Sequence, residues 1–170
     1  MHRRLRPFLL ALLAAGVTAC PSIGGGEPPE RPMSQMEARS FQTRAYETED
    51  TRLVMKALIN ALQDMGLIIK TADADLGLLT AEKWTNVPHT KKEIRKAQKK
   101  ELALASSVVL ECTANVSPFG NSTRVRIVFQ QKTLDGAGAV LQANMIQDPG
   151  FYQDFFSRVS KSVFLQQEGV

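Results

Sequence analysis

The chain of 170 residues is poor in the side chains that carry most protein chemistry, with two cysteines, two histidines, one tryptophan and two tyrosines. His2 and Cys20 lie in the first twenty residues, read below as an address, and the remaining single imidazole and single thiol fall short of a nitrogen–sulfur metal centre, which needs three or four such ligands. Two cysteines cannot build a framework of disulfides. No Gly-x-Ser-x-Gly turn, Walker loop or dinucleotide fingerprint is present. His89 stands alone in a polar stretch and reads as a surface loop residue, with no motif placing a nucleophile beside it. Asp73 and Asp75 lack the remaining ligands of a twelve-residue calcium loop and read as turn residues. Neither a metal nor a cofactor is expected. Long apolar runs are also missing: Phe8 to Val17 spans ten residues, against roughly twenty for a membrane-spanning helix. What remains is 44% apolar and 22% charged, with 11 Gly and 8 Pro, a globular composition that excludes collagen-like and wholly disordered chains.

The first twenty residues, MHRRLRPFLLALLAAGVTAC, read as an address. Arg3, Arg4 and Arg6 precede the apolar run, which closes in small residues, the order of a secretory signal. Residues 1–19 are therefore expected to be removed. The formal charge of +4 then falls to 18 basic against 17 acidic residues, or +1. Near-neutrality argues against a general polyanion binder, and no nucleic-acid partner is expected.

Val17-Thr18-Ala19-Cys20 resembles the lipobox of bacterial lipoproteins. The resemblance implies cleavage after Ala19, a diacylglyceryl thioether on Cys20 and acylation of the new amino terminus. Several acyl chains suit stable anchoring, because a single chain binds a bilayer only marginally. Pro21 stands after the cysteine where inner-membrane lipoproteins of enteric bacteria carry Asp, which favours the outer membrane of a Gram-negative cell, facing the periplasm. Lipidation of Cys20 leaves Cys112 without an intrachain partner, although the compartment is oxidising.

Residues 20–39 follow as the lipidated cysteine and a linker. Positions 21–38 hold three consecutive glycines and four prolines, and too little apolar surface to offset their ordering entropy. As a coil they would span roughly 20–25 Å. Residues 40–170 read as one domain. Phe41 to Tyr46 suggests a first strand. Thr48-Glu-Asp-Thr51 opens a helix whose Leu53, Val54, Ala57, Leu58, Ala61, Leu62 and Met65 recur at helical spacing, ending at Gly66. Leu67 to Ala72 and Leu78 to Trp84 form a hairpin about Asp73 to Gly77. Thr90-Lys-Lys-Glu93 is a capping-box spelling that starts a second helix reaching to about Ala105. Val108 to Val116 alternates, with Val108, Leu110, Cys112, Ala114 and Val116 on the dry face. There Cys112 behaves as a small hydrophobe. Pro118 to Ser122 turns the chain into a strand carrying Val125, Ile127 and Phe129. Asp135 to Gly138 turns it again into Val140 to Ile146. Asp148-Pro149 caps a last helix with Tyr152, Phe155, Phe156, Val159 and Val163 in one stripe, read as the central core helix. The order β-α-β-β-α-β-β-β-α predicts an α+β domain, an antiparallel sheet with helices packed on one face.

One surface feature stands out. Lys91, Lys92, Arg95, Lys96, Lys99 and Lys100 set six cations against Glu93 over ten residues. Such a run reads as a solvated helix face. Read functionally, it would contact anionic head groups or an acidic partner.

The stretch Ala57-Leu58, Leu62 to Ile69, Asp75 to Thr80 and Trp84 resembles the helix–hairpin opening of BamC-type (NlpB) lipoprotein domains. A helix there ends at Gly, an aliphatic strand follows, and an Asp-containing turn leads to a strand closing near an aromatic residue. Ile146 to Leu165 is similar to the last helix of small uncharacterised proteobacterial lipoproteins. The resemblance implies a helix-grip fold, an outer-membrane location and a non-enzymatic accessory or scaffold role in envelope assembly or maintenance, through envelope protein partners. The chain differs in having one such domain and a short proline-rich linker. A reading from another class stays open: helix-grip folds can enclose a cavity between helix and sheet, so the domain could carry a lipid or another apolar ligand.

Overall fold

The computed structural model describes residues 33–169. The signal segment 1–19, the cleavage site at Ala19, Cys20 and the linker up to residue 32 lie outside the described residues.

The chain runs α1 (Gln35–Phe41), β1 (Thr43–Tyr46), α2 (Thr51–Asp64), β2 (Ile68–Asp73), β3 (Leu78–Asn86), α3 (Lys91–Lys100), β4 (Ala105–Phe119), β5 (Ser122–Asp135), β6 (Val140–Met145) and α4 (Pro149–Gln167). The protein is an α+β domain on a six-stranded sheet in which every pairing is antiparallel. The sheet order is β1-β5-β4-β3-β2, with β6 also on β5. β1 pairs with residues 123–126 of β5 and β6 with residues 130–134, so two short strands lie end to end along one edge.

Helix α2 is set by Asp50, whose carboxylate accepts from the Leu53 amide at 2.9 Å, and by Gly66, which takes a positive φ of 80° just past the end. It buries Val54, Met55, Ala57, Leu58, Ala61 and Leu62. Asp148 caps α4 with Pro149 in the first turn, and the predicted stripe, Tyr152, Phe155, Phe156, Val159 and Val163, is its buried set. These two helices pack on each other and on the sheet face carrying Leu79, Ala81, Cys112, Ala114, Val116, Val125, Ile127 and Phe129. Aromatic rings fill the space between α4 and the sheet: Phe129 meets Phe151, Tyr152 and Phe155 edge-on at centroid distances of 4.9, 5.7 and 5.2 Å.

Four expectations change. Composition predicts a linker to residue 39 and a strand from Phe41, yet Ser34 and Glu37 close a complete capping box and residues 35–41 are helical. The glycines and prolines upstream dominate the window and mask that short signal. Helix α3 stops at Lys100, not near Ala105, because Glu101 adopts a left-handed conformation (φ 52°) and Ala105 already belongs to β4. The β4–β5 turn is tighter than the expected five residues: Phe119 pairs with Ser122, and Pro118 sits within the ladder opposite Thr123. Finally, the dry face of β4 is not uniform. Val109 is buried although it points away from Cys112, and Val108 and Leu110 are only half-buried. Val109 and Leu134 lie outside the main core, since alternation turns them to the opposite sheet face.

The edge gap between β1 and β6 is closed by Tyr152. Its hydroxyl accepts from the Phe129 amide at 3.1 Å and donates to the Ile146 carbonyl at 3.1 Å, while Gln42 Nε2 donates to it at 3.4 Å. The Ile127 amide donates to the Gln42 carbonyl at 3.0 Å. One side chain thus completes a ladder that neither short strand reaches.

Candidate functional site

β3 and β4 are neighbours, paired from Leu78↔Asn115 to Asn86↔Ser107, and α3 is inserted in the connection between them. The connection is stitched to the sheet end by Val87, whose amide donates to Ser106 O at 2.9 Å, and by His89, whose Nε2 hydrogen-bonds the Ala105 carbonyl. That contact gives the lone histidine of residues 33–169 a structural task.

Thr90 and Glu93 start α3. Thr90 Oγ1 accepts from the Glu93 amide at 3.3 Å, and Glu93 Oε2 accepts from the Thr90 amide and hydroxyl, each at 2.8 Å. These bonds to the ionised form hold the Glu93 carboxyl below its ordinary range. Ala97 is the helix's one buried residue. Ile94 is 40% exposed and Leu102, just past the helix, 60%. A shallow cleft of about 400 Å³ lies beneath, lined by His89, Ile94, Ala97, Leu102, Leu104 and Asp135 among others.

Every one of Lys91, Lys92, Arg95, Lys96, Lys99 and Lys100 is exposed, and none forms an ion pair among the described residues. At ~100° per residue the six occupy about half the helix circumference, opposite Ala97. They form two rows, Lys91-Arg95-Lys99 and Lys92-Lys96-Lys100, with like charges four residues apart. Each such pair costs ~0.2–0.5 kcal/mol. Lys91 and Lys92 also occupy the first turn, where the helix dipole disfavours cations. Glu93 in the first turn and Lys99 and Lys100 in the last meet the dipole favourably, so the cost that remains is that of the like-charge rows.

Elsewhere the reactive groups are spent on structure. Cys112 lies in the core, where burial pushes its thiol up to about 12 and suppresses the thiolate. Burial likewise raises Tyr152 and pushes Tyr46 up to about 12. Asp73 Oδ1 accepts from the Asp75 and Leu76 amides at 3.0 and 2.9 Å, an Asx turn. Among the described residues no group of three or more His, Cys, Asp or Glu is placed to hold a metal, and no helix is long and apolar enough to cross a membrane. On the sheet face turned away from α2 and α4, Lys70 pairs with Glu82 at 3.0 Å and Lys132 with Glu111 at 2.7 Å. Glu82 and Glu111 stand directly opposite each other, so the flanking lysines separate what would be adjacent like charges. Sequence reasoning missed this four-strand ladder, because it depends on register.

No known protein family and no curated protein matches the chain. Among solved structures it is similar to a DUF4468 family protein from Bacteroides ovatus, at 12% identity and a TM-score of 0.36, over 71% of this chain and 84% of that one. It is also similar to a TBP-like protein from Parabacteroides distasonis, at 10% identity and a TM-score of 0.36, over 71% and 90% of the two chains.

Proposed function

We propose that the protein is a non-enzymatic lipoprotein, anchored through Cys20 to the outer membrane and facing the periplasm, with an accessory role in envelope assembly or maintenance. The observation that carries the proposal is the order of segments at the amino terminus: Arg3, Arg4 and Arg6, an apolar run, then Val17-Thr18-Ala19-Cys20. The resemblance to BamC-type domains supports the accessory role. The placement of the chemically capable side chains supports it too, since His89 ties a loop to β4 and Cys112 is packed in the core. The aromatic rings that occupy the interior beneath α4 favour a filled core over a ligand carrier.

Expression of the full chain and its Cys20→Ser variant in a Gram-negative host tests the proposal. The parent should sediment with outer membranes and carry acyl mass on Cys20, and the variant should lose both. A variant processed to the same size and still membrane-bound would overturn the anchor. Turnover found in an activity screen and abolished in His89→Ala, with thermal stability unchanged, would return the protein to the enzymes.

A further inference from the structure

The six cations of α3 face away from the sheet on a helix that has one buried residue. Outside α3, residues 20–170 carry 12 basic and 16 acidic side chains, so this face is not the overflow of a basic protein. The rest of residues 20–170 is net negative, while α3 carries a net +5 at the end of the β3–β4 pair. Five of the six cations are lysine. Lysine is a hydrated point charge on a flexible stem, depleted from protein interfaces, where the planar fork of arginine is preferred. A half-circumference of lysines suits a diffuse negative surface better than a shaped acidic pocket. If Cys20 is the anchor, only residues 21–32 separate it from the described domain, about 40 Å even when fully extended.

We infer that the outward face of α3, through Lys91, Lys92, Arg95, Lys96, Lys99 and Lys100, docks on anionic phospholipid head groups of the membrane that carries the anchor. The contact relieves the like-charge rows that the isolated domain bears. The inference rests on the anchored reading only in naming which membrane is met.

The test uses residues 20–170 with Cys20→Ser, which holds the whole described domain and no lipid. It is sedimented with phosphatidylcholine vesicles that contain or lack phosphatidylglycerol. Binding should require phosphatidylglycerol and fall steeply as salt is raised. The double variant Lys96→Gln/Lys99→Gln should weaken it about 25-fold, at about fivefold per charge. Arg158→Gln/Lys161→Gln, which removes the same charge from exposed positions of α4, should change it less than about twofold by the same count. Equal binding to both vesicle types, or equal weakening by both double variants, would overturn the inference. Binding to soluble polyglutamate with none to vesicles would assign the face to an acidic protein and also overturn it. Because the chain tested has no lipid, its failure leaves the Cys20 anchor standing, and failure of the anchor leaves the vesicle result standing.

Discussion

Removing one oxygen from each of two buried tyrosines should give different results. The Tyr152 hydroxyl bonds the Phe129 amide, the Ile146 carbonyl and Gln42 Nε2 in the gap between β1 and β6. Tyr152→Phe leaves the ring contacts with Phe41 and Phe129 in place but strands the Phe129 amide and the buried Gln42 side chain. An orphaned buried polar group costs ~1–3 kcal/mol, and the Gln42 bond is long, so the expected loss is about 2–4 kcal/mol. For a domain of this size that lowers Tm by roughly 6–15 °C. Tyr46 is the contrast. Its buried hydroxyl closes no hydrogen bond of good geometry and has only a weaker contact with Ser160, which gives its own proton to the Phe156 carbonyl at 2.8 Å. Tyr46→Phe should therefore be neutral or stabilising by up to about 1 kcal/mol. Thermal melts at neutral pH measure both, and amide exchange at Phe129 gives a local reading. Exchange there should accelerate in Tyr152→Phe alone. A Tyr152→Phe melt close to that of the parent, with Phe129 still protected, would refute the argument. So would equal losses from the two variants.

Other outcomes follow from the same packing. Phe155→Ala or Phe156→Ala should cost ~3–5 kcal/mol, whereas Lys96→Ala should leave the melt unchanged or raise it; unchanged melting of both Phe variants would mean that the stripe is no core. Gly77→Ala should be far more damaging than Gly66→Ala. A Cβ at Gly77 would sit 1.9 Å from the Val116 carbonyl oxygen, whereas at Gly66 it meets only the flexible Lys83 Nζ at 3.2 Å, and both positions have positive φ. Denaturant titrations of the two variants decide this. In alkali, stability should be flat below pH 9.0 and then decline. Cys112 rises from 9.0 to about 12 on folding and Tyr46 from 10.0 to about 12, so the unfolded chain releases these protons first. Each group contributes stability that is full below its unfolded value and is lost as pH climbs to about 12, at ~1.4 kcal/mol per pH unit. Cys112→Ala should move the start of the decline up toward pH 10.0, as read from melts across that range. No shift in onset would show that the thiol does not titrate with unfolding.

Local chemistry was legible wherever one or two residues decide the outcome. The Thr90–Glu93 box, the Asp148-Pro149 start and the positive φ at Gly66 follow from short-range hydrogen bonding and steric freedom. The apolar stripe of α4 follows from helical period, which sets five large apolar groups on one side; that they are buried is decided by packing on α2 and the sheet. The amino-terminal address and the cation run of α3 are likewise one-dimensional patterns, readable without a fold. The Ser34–Glu37 box belongs to the same class and was lost to the glycines and prolines before it.

Tertiary structure decided what depends on partners distant in sequence. β1 and β6 share one edge of β5 because neither is long enough to fill it, and Tyr152 bridges the gap from 23 residues away along the chain. Val109 is buried against the alternation of its own strand, since burial there is set by what covers the second sheet face. The Lys70–Glu82 and Glu111–Lys132 pairs exist only through register across four strands. The cations of α3 were named from sequence, but their lack of acidic partners was not, because an ion pair forms between residues that folding brings together. Sequence period determines which face of an element is apolar. Only the packed fold determines what each face meets.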